Sequence, residues 1–87
     1  MFRHWLYKAI REAYADEFNL DPSTSIRVCE AHTDHVSVNR RTCDTYAQFS
    51  ALLLYTTQNG NELMHNVHGH LHINKLGTVI IDTIDLD

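Results

Sequence analysis

The segment Val67-His68-Gly69-His70-Leu71-His72-Ile73 carries an imidazole at every second position. On a strand, whose side chains alternate between faces, all three would project from one surface. His4, His32, His35 and His65 bring the total to seven histidines in 87 residues. Imidazole is both the commonest metal ligand and the side chain that titrates near neutral pH, which makes the seven histidines the compositional oddity of this chain. A metal needs three or four convergent donors, and a His-x-His pair on a strand supplies two, rooted about 7 Å apart. His68 and His70 are therefore candidate ligands for zinc, copper or nickel, with His32 or His35 as further donors. No cysteine or carboxylate stands at ligand spacing beside them. The leading expectation is accordingly no cofactor and a strip, His68, His70 and His72, that faces solvent or a partner.

Met64-His65-Asn66-Val67-His68 resembles the His-Asn-x-x-His segment of type-3 copper proteins such as tyrosinases. That family spaces its ligands four apart on a helix within a six-histidine bundle, whereas His65 and His68 are three apart, so the resemblance carries no ligand set. Cys43, read as lying at a helix start, would gain thiolate character from the unpaired first-turn amides. A nucleophile also needs a positioned base, and seven histidines make that signal nonspecific. No phosphate-cradling glycine loop, nucleophile elbow or paired catalytic carboxylate motif is present, so no enzyme is expected.

The N-terminal segment offers a different chemistry. Arg3, His4, Lys8 and Arg11 precede Glu12, Asp16 and Glu17, an order that opposes the helix macrodipole. His4, Lys8 and Arg11 share one helical face at i, i+4, i+7. Two readings stand: a contact surface for an acidic partner, or pairing with Asp82, Asp85 and Asp87 of the same chain. Trp5, Tyr7, Tyr14, Tyr46 and Tyr55 cannot all be interior in so short a chain, and exposed Trp and Tyr beside Arg are typical interface anchors. The stripe through Trp5 and Phe49 is expected in the core.

Composition narrows the choice. A net charge of −4 argues against sequence-independent binding to phosphate backbones. The longest apolar run, Ala51-Leu52-Leu53-Leu54-Tyr55, is far short of the roughly 20 residues of a spanning helix. Two cysteines and no secretory leader point to a reducing cytoplasm, in this reading that of a bacterial host.

The elements that must position these residues follow from periodicity. Phe2, Trp5, Leu6, Ala9, Ile10, Ala13 and Phe18 predict a helix over 2–18, stopped by Asn19 and Asp21-Pro22. Ile26-Arg27-Val28 and Val36-Ser37-Val38 predict a hairpin turning at Thr33-Asp34. A second helix is expected from Thr42 to Asp44 onward through Tyr46, Phe49, Leu52 and Leu53, with Gly60 as its stop. Leu63–Ile73 and Thr78–Leu86 predict a second hairpin. A three-residue loop at Lys75-Leu76-Gly77 sets His72 opposite Ile80, His70 opposite Asp82 and His68 opposite Ile84.

The expected fold is α+β: one domain over 1–87, ordered α-β-β-α-β-β, with a four-stranded antiparallel sheet and two helices packed on one face. This order is similar to that of pterin carbinolamine dehydratases, but their consecutive His-His-Pro element is absent, and order alone carries no function. The expected function is that of a small non-enzymatic binding protein that occupies a surface of a larger protein or complex. Its type matches phage or mobile-element inhibitors of host enzymes, including nucleic-acid-targeting defence complexes. The partner-facing residues are expected to be Arg3, His4, Lys8, Arg11, His68, His70 and His72, and the strip or a sheet edge would also serve a homodimer. The alternative is a metal-binding or metal-sensing module built on His68, His70, His32 and His35.

Overall fold

The computed structural model describes residues 2–20 and 25–87. One helix, α1 (Phe2–Glu17), precedes four strands: β1 (Ser25–Asn39), β2 (Asp44–Thr56), β3 (Glu62–Ile73) and β4 (Val79–Leu86). The strands form an antiparallel sheet in chain order, so β1 and β4 are its edges. The helix lies on one face, touching both edge strands. Among the described residues, no element covers the other face. The expected stop at Asp21-Pro22 lies outside the described residues.

Among the described residues there is no second helix. Asp44–Thr56 is the strand β2, paired along its length with β1 on one side and β3 on the other. Its alanines and leucines suit a helix, but Ala47, Phe49, Ala51 and Leu53 alternate with Tyr46, Gln48 and Ser50, and the sheet uses that period. Two partner strands override local propensity here. The order α-β-β-α-β-β and the two-helix layer are therefore replaced by one helix and a four-stranded meander. The likeness in element order to pterin dehydratases lapses with it. Cys43 is not at a helix start: it sits in the β1–β2 turn with φ 64°, and Gly60 turns β2 into β3.

The hairpin expected between residues 26 and 38 is also replaced, by the single long strand β1. Thr33-Asp34 does not reverse the chain. His35, with φ 52°, and Val36 instead form a bulge opposite Ala47, and a second bulge at Cys29 brings both Val28 and Ala31 to the helix side. The true turn follows at Asn39, whose Oδ1 accepts the Arg41 N–H at 2.9 Å while its carbonyl accepts the Cys43 N–H at 2.8 Å. This hairpin runs past the end of the helix layer, leaving residues 32–43 exposed.

The second hairpin is as expected at its tip. Asn74 and Thr78 close a three-residue loop, with the left-handed φ of 84° falling on Gly77. His72 then pairs with Ile80, but a bulge at Asp82 shifts everything beyond by one residue: His70 faces Thr83, Gly69 faces Ile84 and His68 faces Asp85. The bulge lets Ile81 and Ile84, three apart, both reach the helix side.

The core lies between α1 and the sheet. Leu6, Ile10 and Tyr14 from the helix meet Val28, Ala47, Phe49, Ala51, Leu53, Val67, Leu71 and Ile84. At the C-terminal end of α1 the hydroxyl of the 3% exposed Tyr14 shares a 2.5 Å hydrogen bond with Nδ1 of His65, fastening helix to β3. Burial, and then the neighbouring Tyr55, push the Tyr14 phenol above its usual 10.0. The folded state thus holds this proton after the unfolded chain has released it, so the stabilisation is complete below pH 10 and is lost as pH rises through the folded value. Tyr14→Phe is expected to cost about 1 kcal/mol at neutral pH, from the lost hydrogen bond. The variant should also show a shallower loss of urea stability above pH 10 than the parent. Equal alkaline slopes in the two proteins would contradict the buried phenol.

Candidate functional site

Alternation along β2 and β3 decides what the uncovered face carries. Val67 and Leu71 turn to the helix, so His68, His70 and His72 project together from the opposite side, beside Tyr46, Gln48 and Ser50 of β2. This much the sequence predicted. Their partners come from β4 in the shifted register. His72 donates through Nδ1 to both carboxylate oxygens of Asp82 at 2.9 Å and stacks on Tyr46 at 5.5 Å between ring centroids. His68 Nδ1 meets the Asp87 carboxylate. His70 Nδ1 lies 3.1 Å from the Thr83 hydroxyl, whose oxygen also accepts the His70 backbone N–H at 3.0 Å. The expected pair of His70 with Asp82 is thus corrected to His72 with Asp82, because the bulged residue presents its carboxylate one position along the strand.

These contacts turn all three Nδ1 atoms toward β4. The metal alternative finds no convergence: among the described residues, no three of His, Cys, Asp and Glu are grouped to hold an ion. His32 lies on the same face as His68 but with Ser50 of β2 between them, and pairs loosely with Glu30 at 4.0 Å. His35 sits in the bulge and reaches Asp34 at 4.0 Å. His65 and His68 occupy opposite faces of β3, with His65 on Tyr14. The open face carries a depression of about 220 Å³ lined by Asp34, Gln48, Ser50, His68 and His70 over Gly69 and Phe49.

The basic residues of α1 are on the other side of the molecule. Leu6, Ile10 and Tyr14 hold one helix face against the sheet, and Arg3, His4, Lys8 and Arg11 are exposed. The two groups of expected contact residues are therefore not one patch. Intramolecular pairing of the cations with Asp82, Asp85 and Asp87 is corrected as well: Asp82 and Asp87 are engaged by histidines across the sheet, and among the described residues no ion pair joins Arg3, Lys8 or Arg11 to a carboxylate. The cations instead stand over aromatic rings, Arg3 5.9 Å from the Tyr7 centroid and Lys8 5.7 Å from that of Trp5.

Trp5 is not core: it is 56% exposed. With Lys8, Ala9 and Glu12 it faces Leu76 and Val79 across a cleft of about 440 Å³. Leu76, 82% exposed at the tip of the β3–β4 loop, is a residue that sequence reasoning passed over. An apolar side chain in a tight loop between Lys75 and Gly77 was the available signal. Arg27 was missed too, because strand periodicity says nothing about its nearness to the helix. No helix is long and apolar enough to cross a membrane among the described residues. Comparison with protein-family models, with curated proteins and with solved structures finds no match to this chain.

Proposed function

We propose that this chain is a non-enzymatic protein-binding module that acts by covering a surface of a larger protein or complex, in the manner of an inhibitor made by a phage or mobile element. The contact face in this reading is the outer side of α1. The carrying observation is Trp5, more than half exposed, packed under Lys8 and facing the exposed Leu76 across a cleft. Tryptophan and cationic side chains over an apolar recess are the composition of interface hot spots, and a large aromatic left in water favours a partner that removes it. Among the described residues, no ion pair joins Arg3, Lys8 or Arg11 to a carboxylate, which supports the same face. The histidine face, with its imidazoles already held by β4, is the less demanding surface.

Immobilised parent protein is expected to retain a lysate partner that Trp5→Ala loses. Truncating a hot-spot residue costs about 2 kcal/mol or more, so binding should fall at least roughly thirtyfold. A His68→Ala/His70→Ala/His72→Ala variant should retain the partner. Loss from the histidine variant and retention by the helix variant would move the contact to the open sheet face.

A further inference from the structure

A second recess flanks α1 on its β1 side and shares only Lys8 with the Trp5 cleft. It runs between the helix and β1, encloses about 400 Å³, and is lined by Arg3, His4, Tyr7, Lys8, Arg11 and by Ile26, Arg27 and Val28. Four of these residues are permanent cations and none is a carboxylate. The floor is apolar, with Val28 buried and Ile26 and Tyr7 half-buried. Among the described residues, no ion pair neutralises Arg3, Lys8, Arg11 or Arg27. The carboxylates Glu30, Asp34, Asp82, Asp85 and Asp87 instead stand on or beside the opposite sheet face, in register with the open-face residues of β2 and β3 or bonded to their histidines. A chain of net charge −4 has thus gathered more than half of its seven Lys and Arg in one groove.

We propose that this groove binds an acidic peptide segment of the partner protein, its carboxylates on Arg3, Lys8, Arg11 and Arg27 and one aromatic or aliphatic side chain on the Tyr7–Ile26–Val28 floor. This rests on the reading that the outer side of α1 is the contact face and names the partner's chemistry there. Carboxylate forks match guanidinium groups bidentately, and an apolar floor rewards a side chain that a phosphate backbone does not offer. The negative charge of the rest of the molecule repels a long polyanion, and the cationic track is one groove long, which disfavours nucleic acid.

The test is fluorescence anisotropy with three labelled probes: a short peptide of Asp and Glu around one Phe, the same peptide with Asn and Gln, and a single-stranded DNA oligonucleotide. The acidic peptide is expected to bind, to weaken as salt rises, and to lose affinity about tenfold or more with Arg11→Glu/Arg27→Glu. Amide shifts on binding should centre on Tyr7 and residues 26–28. Thermal melting controls for folding, and Arg11→Gln/Arg27→Gln replaces the reversal if the latter melts early. No binding of the acidic peptide by the parent, equal binding by the double variant, or tighter binding of the oligonucleotide overturns the proposal. If the peptide fails while Trp5-dependent capture of a lysate partner persists, the groove falls and the protein-binding reading stands. If capture fails while the peptide binds, the Trp5 cleft falls alone.

Discussion

Gly69→Ala is expected to be the most damaging single-methyl addition in this chain, costing about 3 kcal/mol or more and releasing β4 from the sheet. A Cβ on Gly69 would stand 1.9 Å from the Thr83 carbonyl oxygen, 2.8 Å from its carbon and 3.0 Å from a ring carbon of Phe49. The obstacle is backbone on one side and a buried ring on the other, so no flexible side chain can swing away. Glycine is needed here for close approach: β3 presses against β4 just where the latter bulges at Asp82. Gly77 makes the contrast. Nothing lies within 4 Å of a Cβ there, and Gly77→Ala meets only its left-handed φ of 84°, a penalty of about 1–2 kcal/mol. Urea unfolding of the two variants should separate them clearly, and amide exchange in Gly69→Ala should accelerate first along Val79–Leu86. The histidine contacts on Asp82, Thr83 and Asp87 would loosen with that strand. Equal stability of Gly69→Ala and the parent would mean that β3 and β4 pair in another register.

The same bulge marks how far the sequence could be read. That His68, His70 and His72 share a face follows from alternation alone, and the loop at Lys75-Leu76-Gly77 follows from a glycine where a left-handed residue is required. What those histidines touch does not follow. The extra residue is an aspartate, Asp82, which carries no local mark of a bulge, and it exists because Ile81 and Ile84 both gain by burial against α1. The long-range reward, invisible in the segment, moved every partner beyond it by one. β2 failed for a related reason. Ala51-Leu52-Leu53-Leu54 is good helix material, and only the presence of β1 and β3 on either side makes the weaker alternation from Tyr46 to Ala51 decisive. Along β1, polar Thr33-Asp34 did mark an irregularity, but the chain bulges there and continues. The cationic face of α1 was legible from spacing. That no ion pair among the described residues reaches it was not, since that depends on which side of the sheet Asp82 and Asp87 stand.

Ile10→Ala is expected to cost about 3 kcal/mol, within the 2–5 usual for truncating a fully buried Ile to Ala, whereas Trp5→Ala should cost under roughly 1. Ile10 is 0% exposed beneath the middle of α1, among the most enclosed side chains of the core. The 16-residue helix has no acidic residue in its first turn and no basic residue in its last, so its own termini work against it. A helix of this length is marginal in water, and its existence here depends on the face formed by Leu6, Ile10 and Tyr14. A cavity under that face removes a large share of the roughly 4–13 kcal/mol that a chain of 87 residues has in all. Amide protection should therefore drop in Phe2–Glu17 before it drops in β2, which is held by two neighbouring strands. The proposed contact depends on the same element. Arg3, Lys8, Arg11 and Trp5 are placed by α1, so Ile10→Ala should weaken partner capture without altering any contact residue. Trp5→Ala should weaken capture by roughly thirtyfold or more in a protein that melts like its parent. If the tryptophan variant instead lost as much stability as the isoleucine variant, Trp5 would belong to the interior, as the apolar stripe alone suggests, and the exposed cleft would not exist.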